Sequence, residues 1–277
     1  MSKVQVLVTT MNQLDDRKYE EMNLQTDAVI ANQADFESCE IRYHGDCVVN
    51  FVSTKTKGLS KNRNIAIENI SSDAEYIVFS DDDLILRKGY EDIILNAFAE
   101  HPDVDAMHFN LCCVGGRKMY MKQSEKYHLA NRREVGSWGV CGLAIKKSVL
   151  TDHHLCFNER FGSGTDNYCG EDTIFLQELF KQKIKIGCMP IAIADIDQSK
   201  STWFEGFDSK YFTTAGAVLH QIYPLLCYPL SIRSALRAAK IRKSQLPFGE
   251  ILKCYFCGIK KNIKEKKDID RKRKGCN

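Results

Sequence analysis

Tyr76-Ile77-Val78-Phe79-Ser80-Asp81-Asp82-Asp83 is a continuous apolar run that ends in three carboxylates. Such a run reads as a central strand covered on both faces of a sheet. The aspartates then stand at the carboxyl end of that strand, where open α/β sheets place ligands. Adjacent carboxylates repel one another, and beside a core they are costly unless a cation compensates. Oxygen-only ligands favour a hard divalent ion, Mn2+ or Mg2+, which shares its shell with substrate phosphates. Taken out of the strand context, the same triplet is a solvated acidic turn or a helix-capping cluster.

On the N-terminal side, Val4–Val8, Ala28–Ala31 and Val48–Val52 are short β-branched or apolar runs and read as strands. The first ends in Thr9-Thr10-Met11-Asn12-Gln13 and the second in Asn32-Gln33-Ala34-Asp35. Gly58-Leu59-Ser60 opens a helix whose apolar stripe is Ala66, Ile67 and Ile70, with Ser60 as the expected N-cap. Arg63 shares the inward face of that stripe, an odd place for a cation unless an anion awaits it. A glycine-initiated helix start with an inward Arg suits a diphosphate or a nucleotide. The plainer reading pairs Arg63 with a structural acid, Asp82 being the candidate.

On the C-terminal side, Gly89 leads into a helix carrying Ile93, Ile94, Ala97 and Phe98, stopped at His101-Pro102. Val104–Phe109, Val140–Ile145 and a run within 184–194 read as further strands. Gly170-Glu171-Asp172 begins a helix with Phe175, Leu176, Leu179 and Phe180 inward, and Asp172 lies on the same face. Two acids at a helix start can simply favour the macrodipole. Inward and beside a glycine-rich loop, a carboxylate there can also serve as a general base. Alternating strands and helices through 1–110 argue an α/β, mostly parallel sheet, and the later strands an antiparallel addition.

The 277 residues hold 44% hydrophobic and 27% charged side chains, which excludes a disordered, collagen-like or coiled-coil chain. No apolar run is long enough for a spanning helix, and the start carries no export signal, so a cytoplasmic location is expected. The 12 cysteines are then expected to stay reduced, and the lone CxxC at Cys254 and Cys257 lacks companions at zinc spacing. The net charge of +3 conceals an asymmetry: from Arg233 onward there are 15 Lys/Arg against 4 Asp/Glu, whereas the first 232 residues have 24 against 32. An acidic body with a basic, amphipathic tail suggests a tail that meets an anionic surface, with peripheral binding at the inner face of the cell membrane as the expected form.

Five segments in this order resemble glycosyltransferase family 2, with the GT-A fold, of the bacterial surface-polysaccharide type. They are the first strand with its polar end at Val6–Gln13, GLSKNRN at 58–64, YIVFSDDDLIL at 76–86, WGVCGLAIKKSVL at 138–150 and GEDTIFLQELF at 170–180. The resemblance covers residues 1–215 and implies a GT-A domain there: a Rossmann-like mixed, mostly parallel sheet flanked by helices. Residues 216–277 follow as a small basic helical extension. It also implies an inverting transferase that uses a nucleotide-diphospho-sugar, a UDP-sugar foremost, and a hydroxyl of a glycan or lipid-linked acceptor.

Residue by residue, Asp83 matches the ligand of a metal bridging the diphosphate, and Asp81 and Asp82 match contacts to ribose, sugar or metal. Asp172 matches the base that deprotonates the acceptor, with Glu171 as the second candidate. Arg63 is expected on the nucleotide side, together with Thr9, Asn12, Asn32 and Gly58. Many members place a His near the last strand as a further metal ligand; here ADIDQSKSTW offers Asp195 or Asp197 instead. The Asn-Gln-Ala-Asp after the second strand departs from the family's more acidic segment. Trp138, Gly142 and Trp203 are expected on the acceptor side.

Two other readings compete. A sugar nucleotidyltransferase would carry a glycine-rich loop after the first strand, and Val8–Gln13 has no glycine. A basic-tailed nucleic-acid binder would show a recognition motif or stacking aromatics among its cations, and the basic run lacks interleaved aromatics apart from Tyr255 and Phe256. No nucleic-acid partner is expected.

Overall fold

The structure, a computed structural model, describes residues 3–114, 123–197, 206–240 and 245–275. In chain order the described elements begin with β1 (Val4–Met11), α1 (Lys18–Glu21), β2 (Asp27–Gln33), β3 (Ser38–His44), β4 (Cys47–Thr54) and α2 (Leu59–Glu68). There follow β5 (Tyr76–Asp81), β6 (Leu84–Leu86), α3 (Tyr90–Glu100), β7 (Ala106–Val114), β8 (His128–Leu129), β9 (Leu143–Lys146) and α4 (Lys147–Asp152). The last are α5 (Glu171–Lys181), β10 (Ile186–Asp197), α6 (Ser209–Ile222), α7 (Cys227–Lys240) and α8 (Phe248–Gly275).

The strands form one sheet in the order β3-β4-β2-β1-β5-β9-β7-β10-β6, with β8 against β10. The long inner ladders are parallel: β1 with β2 and β5, β2 with β4, and β7 with β10. Antiparallel β9 is wedged between β5 and β7, whereas β7 and β10 run parallel, so of the later strands read from the sequence only β9 is an antiparallel addition. Three strands escape the sequence pattern, among them β8 with only two residues. β3 is a polar edge strand whose side chains are mostly exposed, so no apolar alternation marks it. β6 has only three residues, too few to show a period, and runs antiparallel to β10 directly after the aspartates.

Alternation along the strands builds a core on each side of the sheet. Val4, Val6 and Val8 of β1 and Val78 of β5 pack with Ile94 and Phe98 of α3. Leu7 of β1 and Ile77 and Phe79 of β5 point the other way, to Ala66 of α2 and Phe175, Leu176 and Leu179 of α5. This is the two-residue period of a sheet buried on both faces, and it is why the run at 76–79 carries no polar residue.

The chain divides into two compact units, Met1–Thr165 with Glu171–Ser201, and Asp166–Gly170 with Thr202–Asn277. The division falls before residue 216 and gives 166–170 to the second unit. That unit is built from α6, α7 and α8 around Phe212, Ala235, Ala238, Ile251 and Tyr255. Asp208 caps α6 by accepting the Tyr211 N–H at 2.8 Å. None of the described helices is long and apolar enough to cross a membrane.

Candidate active site

The carboxyl ends of β1 and β5 lie side by side, with Thr9 and Asp81 in register. The Thr9 hydroxyl donates to Asp81 Oδ1 at 2.9 Å, and the Thr10 hydroxyl to Asp82 Oδ2 at 2.6 Å. The polar end of β1 therefore holds the first two aspartates of the triplet. Thr10 was visible in the sequence only as one of several polar residues there.

Arg63 organises what lies beneath. Its side chain is 3% exposed, on the inward face of α2 as its spacing requires. One terminal nitrogen donates to Asp172 Oδ1; the other donates to Asp81 Oδ1 and Oδ2 at 3.0 and 3.2 Å. Glu171 Oε1 stands 3.8 Å away, and the Phe157 ring lies 5.1 Å from the guanidinium carbon. The protein's own acids thus occupy Arg63, and Asp82 is not among them. The expectation that Arg63 reaches for a nucleotide gives way to a bridge between the strand end and the start of α5. Its charge is held by that bridge: burial works against the cation, but Asp172, Asp81 and Glu171 outweigh it.

Each carboxyl answers differently. Burial alone would raise Asp81, yet Arg63 and the Thr9 hydroxyl bring it below its ordinary value. Burial raises Asp172 above its ordinary value despite Arg63, while Asp81 repels it. Its Oδ2 accepts the Val140 N–H at 3.2 Å, and a Cβ on Gly139 would stand 3.2 Å from that oxygen. Asp172 keeps 22% of its side chain exposed, whereas Glu171 keeps 11%. Burial and the neighbouring Asp172 push Glu171 up to about 8, and its Oε2 is buried without a hydrogen-bond partner. The two candidates for a base are therefore unequal: Glu171 is the more deeply enclosed, and burial favours its protonated form.

Asp83 is exposed at the turn into β6. Partial desolvation, then repulsion from Asp81 and Asp82 and more weakly from Asp197, raises it to about 6. The two acids offered as a further metal ligand sit differently. Asp195 accepts from Arg87 at 2.6 and 3.0 Å, while Asp197 ends β10, near enough to raise the Asp83 carboxyl slightly by repulsion. Among the described residues no group of three or more His, Cys, Asp or Glu is arranged to hold a metal by itself. Asp81 is engaged by Arg63. The donors fit a hard cation that takes one or two carboxylates and completes its shell with phosphate and water, not a closed protein cage.

Several expected contacts have structural work instead. Asn32 is wholly buried; its Oδ1 accepts the Gln13 N–H at 3.0 Å, and its Nδ2 donates to Gln13 O and Ser53 Oγ, each at 2.9 Å. It fixes the loop after β1 and has no face for a ligand. Gly58, at φ +115°, is the N-cap of α2 in place of Ser60, and its N–H goes to Gln33 Oε1 at 2.7 Å. The Leu59 N–H goes to Ser163 O at 2.9 Å and the Ser60 hydroxyl to Phe161 O at 2.6 Å, so a loop of the chain covers this helix start.

Trp138 is 7% exposed and stacked on His108 with centroids 4.2 Å apart, so its ring is core and offers no sugar platform. Gly142, at φ +82°, lets the backbone pass Phe109, whose oxygen would lie 3.1 Å from a Cβ. Asn12 does stay at the surface, in a left-handed conformation with its N–H on Gln33 O at 2.8 Å. Trp203 lies outside the described residues.

Residues 26–157 match the model of Glycosyl transferase family 2. The matched segment carries Arg63 and the aspartate triplet, and ends before Glu171 and Asp172. Among solved structures, S. aureus TarS 1–349 in complex with UDP-GlcNAc is similar with a TM-score of 0.59 at 15% identity, over 80% of this chain and 66% of that one. The same fragment in complex with UDP gives 0.56 at 16%, over 80% and 65%. S. aureus TarS gives 0.56 at 14%, over 79% and 39%. The chain thus spans just under two thirds of the length of the first two. At these identities the likeness is one of fold, the GT-A arrangement of a mixed sheet flanked by helices. No curated protein matches the sequence.

Proposed function

We propose that this chain is an inverting, metal-dependent glycosyltransferase of family 2. It moves a sugar from a nucleotide-diphospho-sugar to a hydroxyl of a glycan or lipid-linked acceptor, in cell-surface polysaccharide synthesis at the cytoplasmic side of the membrane. One observation carries the reading: Arg63 ties Asp81 of the triplet to Asp172 of the helix start. Two acidic motifs far apart in sequence thereby meet at the carboxyl ends of β1 and β5. The family match supports the reaction class, and the UDP-GlcNAc complex of the similar TarS fragment favours a UDP-sugar as donor.

In this reading Asp172 is the base. Arg63 and the Val140 N–H fix its carboxylate, and burial raises its basicity. As the acceptor oxygen bonds the anomeric carbon, the bond from that carbon to the diphosphate oxygen breaks and its electron pair leaves with the diphosphate. The acceptor proton passes to Asp172. Asp83, with Asp197 at the end of β10 as the further candidate, would hold a Mn2+ or Mg2+ ion, whose contribution would be to neutralise charge on the departing diphosphate. Asp82 is left toward the sugar or ribose, and Thr9, Thr10 and Asn32 serve by positioning. No nucleic acid takes part.

The test is a panel of nucleotide sugars, UDP-GlcNAc included, incubated with the full chain and Mn2+, reading release of the nucleoside diphosphate. Turnover with one or more donors is expected. No binding or turnover across the panel, alongside a shift of labelled nucleic acid, would replace the reading with that of a basic-tailed binder.

A further inference from the structure

The helix α7 turns its small side chains inward and its large apolar ones outward. Cys227, Ser231, Ala235 and Ala238 are its buried stripe. Tyr228, Ile232 and Leu236, at i, i+4 and i+8, form the next stripe and are 40%, 41% and 55% exposed. Leu225 and Leu226, immediately before the helix, are 93% and 56% exposed. Arg233, Arg237 and Lys240 follow around the helix, also exposed, and α7 contains no acidic residue. The helix α8 continues this surface. The Phe256 ring meets Tyr228 edge-on at 5.1 Å and, with Leu252, lines a shallow groove that also takes in Lys253 and Lys260.

An exposed apolar patch edged by polar groups marks an interaction surface. Three occupants can be weighed on charge. A second copy laid face to face would set α7's cations against the same cations, with no acid on α7 to answer them. A nucleic acid would meet the cations but press five large apolar side chains against phosphates. An anionic bilayer satisfies both parts: the cations meet the headgroups while the leucines, Ile232 and Tyr228 enter the acyl boundary. We infer that the outward face of α7, with Leu225 and Leu226, docks on an anionic lipid bilayer and lies in its plane. This placement does not depend on the assignment of the donor or the base.

Co-sedimentation of the full chain with vesicles tests it. Phosphatidylcholine vesicles containing phosphatidylglycerol are expected to carry the protein down, pure phosphatidylcholine far less, and added salt should release it. The double variant Ile232→Ser/Leu236→Ser is expected to lose binding by at least about tenfold. The triple variant Arg233→Gln/Arg237→Gln/Lys240→Gln should lose roughly a hundredfold. All five positions face solvent, so both variants should keep the far-ultraviolet dichroism of the parent. A parent chain that stays in the supernatant with the anionic vesicles at low salt overturns the inference. So does either variant sedimenting like the parent, or a concentration-dependent dimer, abolished by the serine variant, in a chain that binds no vesicles.

Discussion

Arg63 and Asp172 are 109 residues apart in the chain, and an Arg63 N–H donates to Asp172 at the first turn of α5. The same guanidinium holds Asp81 through both carboxylate oxygens. It is the joint between the aspartate turn and the helix that carries the proposed base.

Removing this joint should cost stability first. Arg63→Ala leaves Asp81 and Asp172 without their buried counter-charge, a defect worth about 3–5 kcal/mol when one partner of a buried pair is deleted. Arg63→Lys keeps the charge but not the planar fork that reaches two carboxylates at once, and should fall between. Urea denaturation of the three proteins gives the order. A loss below about 1 kcal/mol for the alanine variant would mean that the acids are not buried against Arg63 in solution.

Asp172→Asn preserves shape and should spare donor binding while lowering turnover by roughly 10²–10⁴, the usual worth of a general base. Glu171→Gln should leave turnover within about tenfold, because a carboxyl held near 8 is already neutral at pH 7. Parallel donor-binding and rate measurements separate the two. If the glutamine variant loses as much rate as the asparagine variant, the base assignment falls.

Glu171 also fixes a pH dependence of stability. Its folded pKa is raised, from 4.5 to about 8. Between those values the folded state holds a proton that the unfolded chain has released, so stability falls as pH rises through the window. Glu171→Gln removes that proton linkage. The melting temperature of the parent, taken relative to the glutamine variant, should decline from the acid to the alkaline end of the window. A constant difference across it would show Glu171 to be ionised in the folded protein.

Asp83→Ala should abolish the Mn2+ dependence of nucleotide-sugar binding, because Asp83 is the triplet's exposed carboxylate while its neighbours are engaged by Arg63, Thr9 and Thr10. Calorimetric titration of the donor with and without Mn2+ reads this directly. Unchanged Mn2+-dependent affinity in the variant would take the metal away from this turn.

The sequence by itself determined the two-sided burial of β5, the helix start at 171, the inward side of Arg63 and the likeness to glycosyltransferase family 2. These follow from patterns of two and 3.6 residues and from short motifs, which are local. Only the tertiary structure decided which acids Arg63 meets, that Glu171 is buried and Asp172 half-open, and that Asp195 belongs to Arg87. It also decided that Asn32 and Trp138 serve the core. Each of these is a question of which distant group satisfies a buried polar atom or covers a ring, and the partner is recruited from tens of residues away. The short β6 and polar β3 were hidden for the same reason, since both exist through pairing with neighbours and not through a pattern of their own.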